Sequence, residues 1–223
     1  MAYDLEEQEQ LATLKAWWQR YGNLVTTVVL VIALIFAGWN GWNWYQARQA
    51  AGAAAAYEDL QTAAAMKDMA KVKSAAGALF DEFSRTSYAQ MGGLTAAKAN
   101  FDAGDLKTTK AQLQWVIDNG RDESFKLVAR LRLAGVLLDE GQADAALQLV
   151  AIKVPAQYEA AFADRRGDIL VAQKKSAEAR AAYQIAYDKA DSRGGYRQIV
   201  QLKLDDLAGA VPAAPAPDKE EKK

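Results

Sequence analysis

The most constraining feature of this 223-residue chain is a stretch of 27 residues without a charged side chain, between Arg20 and Arg48. Its middle, from Leu24 to Trp39, is apolar apart from two threonines and one glycine. A helix from Leu24 to Trp44 would be about 31 Å long at about 1.5 Å per residue, which matches the roughly 30 Å hydrocarbon core of a bilayer. The sequence therefore predicts a transmembrane helix over residues 22–45.

Aromatic residues lie at both ends of this apolar run. They are Trp17, Trp18 and Tyr21 before it, and Trp39, Trp42, Trp44 and Tyr45 at its end. Tryptophan and tyrosine rings favour membrane interfaces, whereas a buried core helix would need polar partners for the indole N–H groups. A cleaved signal peptide is the other alternative, but the preceding segment is long and acidic, and no small-residue cleavage site closely follows the run. We therefore expect an uncleaved membrane anchor.

The basic residues near the span predict its orientation. Lys15, Arg20 and the amino terminus precede the span, and only Arg48 follows it within twenty residues. The positive-inside rule counts lysine and arginine and gives little weight to acidic residues. We therefore expect residues 1–21 to be a short cytoplasmic segment and the chain after the span to lie across the membrane.

The composition excludes several functional classes. The chain has neither cysteine nor histidine, which removes thiolate chemistry, catalytic triads with histidine, and zinc sites built from Cys or His. Its acidic doublets would point about 100° apart on a helix, which is typical of solvated faces rather than acid/base pairs. A net charge of −1 gives no electrostatic support for nucleic-acid binding. We predict no enzyme, cofactor or metal site.

The rest of the chain has the pattern of an all-helical domain. It is rich in alanine, apolar residues recur at helical spacing, and Pro155 is the single proline between Ala53 and Ala208. Predicted breaks between helices fall at Lys67-Asp68, Gly92-Gly93, Gly104-Asp105, Asn119-Gly120, Gly141-Gln142, Lys153-Pro155, Lys174-Lys175 and Gly194-Gly195. We therefore predict an all-α domain over residues 46–209.

Four of these breaks form a repeat. They begin at Lys67, Gly104, Gly141 and Lys174, which are 37, 37 and 33 residues apart. The predicted packing positions lie 5, 9 and 12 residues after each start: Val72, Ala76 and Leu79; Thr109, Leu113 and Val116; Ala146, Val150 and Lys153; Ala179, Tyr183 and Ala186. This pattern resembles the tetratricopeptide repeat, a helix-turn-helix unit of about 34 residues. The alternative is an irregular helical domain.

The C-terminal part of the chain predicts an end to the solenoid and a tail. An amphipathic segment with Tyr196, Ile199, Val200, Leu204 and Leu207 should form a capping helix, whose outer face should be polar. The sequence AVPAAPAPDKEEKK that follows has no capacity to bury a core. We expect residues 210–223 to be disordered.

Several motifs carry a more specific resemblance. These motifs are YDLEEQEQ at residues 3–10, LKAWW at 14–18, the anchor, and later LRLAGVLLDEGQADAAL and ADRRGDILVAQKKSAEARAAY. Together they are similar to the ancillary SecYEG translocon subunit family, the YfgM-like proteins of Gram-negative bacteria. The resemblance covers residues 3–207. It implies a single-pass inner-membrane protein with a periplasmic domain, which associates with the SecYEG translocon and the membrane-anchored chaperone PpiD and handles unfolded, newly translocated polypeptides.

The repeat alignment predicts which residues face a bound partner, because the first helix of each unit lines the concave side of such a solenoid. The candidate partner-binding residues are Met91, Leu94, Lys98, Val128, Leu131, Leu138, Asp164, Asp168 and Val171. They predict a largely apolar groove, better suited to hydrophobic segments than to a charged terminus. The alternative is that several belong to the core. A second functional hypothesis is a membrane-anchored scaffold for another envelope complex, such as division or outer-membrane assembly.

Overall fold

The computed structural model describes residues 2–191 and 194–210. In these ranges every regular element is a helix: α1 (Ala2–Ala65), α2 (Met69–Asp81), α3 (Ser87–Asp102), α4 (Leu106–Asn119), α5 (Glu123–Asp139), α6 (Ala143–Val150), α7 (Ala156–Ala172), α8 (Ser176–Lys189) and α9 (Gly195–Ala210). The predicted all-α fold class is confirmed. The predicted tail at 210–223 lies outside the described residues, apart from Ala210.

The chain divides into two compact units, residues 1–52 and 53–223. In the first unit the apolar side chains of α1 are exposed: Leu24 by 64%, Ile35 by 66% and Phe36 by 69%. A core helix of a soluble protein would bury these side chains. Among the described residues, α1 is the one helix that is long and apolar enough to cross a membrane. The exact bounds of the span, residues 22–45, stay a prediction.

The second unit contains the repeats, and its turns repeat at the level of the backbone. Lys67, Gly104, Gly141 and Lys174 all have positive φ, between 57° and 82°. In each turn the next residue donates its backbone N–H to a carbonyl five residues earlier, at 2.8 to 2.9 Å, in the Schellman arrangement that ends a helix. The four aligned breaks therefore share one backbone conformation.

The predicted packing positions of the repeat are buried, with one exception. At the positions 5 and 9 residues after the start of each turn, every side chain is at most 4% exposed. At the position 12 residues after the start, the same holds for Leu79, Val116 and Ala186. The exception is Lys153, which is exposed. Helix α6 has only eight residues and ends at Val150, so Lys153 lies in the connection before Pro155 rather than on a helix. Its predicted packing role is wrong.

The predicted break at Gly92-Gly93 is also wrong, while the other seven are confirmed. Helix α3 begins at Ser87, after Thr86 caps its N-terminus, and continues through both glycines. A Cβ at Gly92 would collide with Leu79 of α2, and a Cβ at Gly93 would collide with Val116 of α4. The glycines therefore allow α3 to pack closely against a helix on each side.

Helix α9 closes the repeat array. It buries Val200, Leu204 and Leu207 in one cluster with residues of α7 and α8, which confirms the predicted cap. Its outer face is less polar than expected, because Ile199 is 53% exposed and Leu202 is 68% exposed. The expectation of a polar outer face is wrong at these two positions.

A candidate protein-binding groove

Helices α3, α5 and α7, the first helices of units two to four, form the walls of two neighbouring depressions. One has a volume of about 480 Å³ and is lined mainly by α3 and α5, with Tyr57 and Phe125 among its lining residues. The other, about 330 Å³, is lined by α3, α4 and α5 and by Arg165 of α7. Lys98, Asp102 and Arg132 line both. We call the two depressions together the groove.

The structure brings three of the nine predicted residues to this groove. Met91, Leu94 and Lys98 of α3 line one of its depressions. Leu94 is only 8% exposed, because it also packs in the core with Leu113 and Val116. The three α3 residues therefore line the groove, and their role in partner binding stays a prediction.

The predicted residues of α5 pack elsewhere. Val128 lies against the core cluster that contains Leu94. Leu131 and Leu138 lie against the cluster shared by α5, α6 and α7, which includes Phe162. The groove residues of α5 instead include Arg132, next to Leu131, and Asp139, next to Leu138. Since neighbouring helical residues point about 100° apart, the predicted helix phase was wrong by one residue on α5.

The predicted residues of α7 show a related shift. Arg165, next to Asp164, lines the groove, whereas Val171 is 41% exposed and lies outside it. Asp164 and Asp168 accept bonds from the same ammonium group, that of Lys203 on α9, both at 2.7 Å. These two acids therefore hold the capping helix against α7.

Two tyrosines complete this polar cluster. Tyr183 donates its hydroxyl to Asp168 at 2.8 Å, and Tyr196 donates its hydroxyl to Asp164 at 3.1 Å. Burial, together with the bond to Asp168, raises the pKa of Tyr183 above its ordinary value. Burial acts to lower the pKa of Lys203, but the bonds to the two carboxylates outweigh it and raise that pKa. The cluster is a neutralised structural network.

The groove itself carries charge that the sequence interpretation did not assign to it. Lys98 pairs with Asp102 at 2.8 Å on the same helix, and Asp139 adds a second carboxylate. Arg132 donates from Nη1 to the Leu94 carbonyl at 3.1 Å. Most of the groove surface is apolar, but its walls also carry charge that the sequence analysis did not assign to it.

The repeat itself contains the signal that could have found these residues. Arg132 and Arg165 both lie nine positions before the positive-φ residue of their turn, and Asp102 and Asp139 both lie two positions before theirs. Equivalent repeat positions face the same side. The charged residues that recur at equivalent repeat positions therefore predict the walls of the groove.

Comparison with known proteins agrees with this architecture. A family model described as "Tetratricopeptide repeat-like domain" matches residues 15–209. A Neisseria gonorrhoeae protein named "Ancillary SecYEG translocon subunit" is 30% identical over 208 residues, which are 93% of this chain and all of the relative. The chain belongs to the ancillary SecYEG translocon subunit family. This confirms the resemblance found in the sequence.

Other members of the family match over a similar length. Proteins with the same name from Haemophilus influenzae and Escherichia coli are 29% and 28% identical, over 93% and 91% of this chain and 100% and 97% of the relatives. No solved structure matches the chain. The similarity to the family therefore covers both the apolar helix and the repeats, and it extends over nearly the whole of each relative.

Proposed function

We propose that this protein is a non-enzymatic ancillary subunit of the Sec translocon. In this proposal α1 anchors it in the bacterial inner membrane with residues 1–21 in the cytoplasm, and the repeats lie in the periplasm. There the domain binds partner proteins and newly translocated polypeptides. The observation that carries the proposal is the similarity to named translocon subunits over 93% of the chain, which includes the anchor as well as the repeats.

The architecture supports a binding role. The side chains that line the groove are lysine, arginine, aspartate, threonine, tyrosine and apolar residues, and the chain contains no histidine or cysteine. Tetratricopeptide repeats typically present extended surfaces to other proteins. The proposed partners are SecYEG, a PpiD-like membrane-anchored chaperone and unfolded secretory polypeptides.

Purification of the native complex tests the partners. The full chain, tagged at its C-terminus and solubilised in a gentle detergent, should copurify with the SecYEG subunits and with PpiD. A matched control keeps the repeats but replaces residues 22–45 with an unrelated single-pass anchor, which separates contacts of the span from contacts of the domain. Recovery of division or outer-membrane assembly proteins without Sec subunits would favour the alternative scaffold function.

Protease accessibility tests the orientation. Protease added to the periplasmic side of spheroplasts should degrade the repeats and leave an N-terminal fragment that includes the span. The N-terminal sequence of the intact protein should show that no cleavage has occurred near Ala53. Protection of the repeats in intact spheroplasts, with degradation only after lysis, would contradict the proposed orientation.

A further inference from the structure

The groove presents cationic side chains next to an apolar surface. Its lining includes three cations, Lys98, Arg132 and Arg165, and two carboxylates, Asp102 and Asp139. Lys98 pairs with Asp102, and Arg165 contacts Asp168, so Arg132 is the lining cation without an ion pair among the described residues. A ligand of this groove should offer a complementary charge.

The two guanidinium groups have free hydrogen-bonding capacity. Arg132 donates one bond to the Leu94 carbonyl, and among the described residues no carboxylate forms an ion pair with it. Arg165 contacts Oδ2 of Asp168 at 3.5 Å through Nη1, whereas Lys203 and Tyr183 donate to Oδ1, so the other N–H groups of Arg165 remain available. Guanidinium groups bind carboxylates in a planar, bidentate geometry. Both arginines can therefore donate hydrogen bonds to the carboxylate of a bound ligand.

A glycine gives Arg165 its place beside α5. A Cβ at Gly135 would lie 3.5 Å from Cζ of Arg165, so the guanidinium of α7 lies directly over this glycine. Arg132 lies on the same helix, three residues before Gly135, and lines the same depression. Arg165 therefore packs against α5 and brings a cation of α7 to a depression whose other walls are α3, α4 and α5.

The depression also offers an apolar surface next to these cations. Leu113 and Val136, which are 1% and 5% exposed, form its floor, and Phe101 stands at its side with 40% exposure. An apolar side chain of a ligand could cover this surface while a neighbouring carboxylate reaches the arginines. Because the two depressions share lining residues, a chain segment can pass along the groove.

The geometry points to an extended polypeptide segment with an acidic side chain beside an apolar one as the ligand of this groove. Arg132 and Arg165 bind the carboxylate, and the apolar side chain lies over Leu113 and Val136. This inference rests on the proposed function, because it names the polypeptide chemistry that the adaptor recognises. Asp139 opposes binding through like-charge repulsion and so limits affinity, which suits a transient contact.

The test uses the full chain in detergent and a short fluorescein-labelled peptide with a central Glu-Phe pair and an amidated C-terminus, read by fluorescence anisotropy. The matched probes replace the glutamate by glutamine or by lysine. The glutamate peptide should bind about tenfold more tightly than the glutamine peptide, the ratio expected for about 1.4 kcal/mol from one charge-assisted contact. Its affinity should fall as salt is added.

Neighbouring arginines provide the matched variants. Arg132→Gln and Arg165→Gln should each weaken binding of the glutamate peptide about tenfold. Arg166→Gln makes the same charge change on the same helix, but Arg166 faces a different depression, between α6 and α8, and should leave binding within about twofold. Asp139→Asn should strengthen binding. Circular dichroism of each variant checks that the helices remain folded.

Equal affinity for the glutamate and glutamine peptides would overturn the inference, as would equal losses in Arg165→Gln and Arg166→Gln. Strong binding that requires a free C-terminal carboxylate in place of the internal glutamate would also overturn it. Copurification of SecYEG is measured separately. If the peptide results are as expected but SecYEG does not copurify, the groove inference stands and the proposed function fails. If SecYEG copurifies but the glutamate and glutamine peptides bind equally, the proposed function stands and the groove inference fails.

Discussion

Exchanging glycine and lysine at equivalent turns should change stability in opposite directions. Lys174 and Gly141 occupy the same position of successive units, with φ of 61° and 76°. A side chain with a Cβ costs about 1 to 2 kcal/mol in this left-handed conformation, whereas glycine adopts it freely but loses about 0.5 to 1 kcal/mol more conformational entropy on folding. Lys174→Gly should therefore stabilise the domain by about 0.5 to 1 kcal/mol, and Gly141→Lys should destabilise it by a similar amount.

The structure makes this a test of backbone conformation alone. A Cβ at Gly141 would meet no atom within 4 Å, so its cost does not come from a steric clash. Arg180, an exposed residue inside α8, provides the control because it lies in an ordinary helical turn. Arg180→Gly relieves no strain and should destabilise the domain by about 0.5 to 1 kcal/mol through entropy.

Thermal unfolding of the full chain in detergent, followed by circular dichroism at 222 nm, measures these effects. For a domain of this size about 1 kcal/mol corresponds to a shift of about 2 to 4 °C in Tm. Lys174→Gly should raise the Tm, and both Gly141→Lys and Arg180→Gly should lower it. If Lys174→Gly and Arg180→Gly shift the Tm in the same direction, the left-handed conformation is not the source of the difference.

Four further substitutions test the packing and the ion pairs of the capping helix. Ala179→Leu should lower the free energy of unfolding by about 1 to 3 kcal/mol because Ala179 is fully buried. Glu178→Leu, on the exposed face of the same helix, should leave the Tm nearly unchanged. Equal Tm values for the two variants would refute the repeat register. Gly93→Ala should lower the Tm by pushing α3 from α4, with helix content retained in the cold. Lys203→Met should lower the Tm at pH 7. The raised pKa of Lys203 means that its contribution is complete below its unfolded pKa of about 10.4 and is lost as pH rises through the higher folded value, so parent and variant should converge in alkali.

The sequence predicted the repeat because its signals are local. A turn with Gly104 or Gly141 at its start is determined by a few adjacent residues, and so are the small side chains that follow it. Gly92-Gly93 shows the limit of such signals. A glycine pair predicts a helix break from local propensity, but here the reason for the glycines is contact with Leu79 and Val116 on other helices. Tertiary packing outweighs local helix propensity at this site.

The groove was harder to predict because a helix phase that is wrong by one residue can still give an amphipathic pattern. Helix α5 is apolar on most of its circumference, since it packs against both α3 and α7, so hydrophobicity alone gives no unique phase. By hydrophobicity, Leu131 is then as good a candidate for the groove as Arg132. The charged residues determine which face of α5 is exposed, because a charged side chain is seldom buried without a partner.

The charges of α7 show why sequence alone could not separate structural acids from binding residues. Asp164 and Arg165 are adjacent, and either could face a ligand. Their roles differ because Lys203 arrives from α9, about forty residues later, and neutralises the acid. Arg165 keeps only a longer contact with Oδ2 of Asp168, whose Oδ1 is bonded to the same lysine. The capping helix thus closes the end of the repeat array, and by binding Asp164 and Asp168 it also leaves most N–H groups of Arg165 available to the groove.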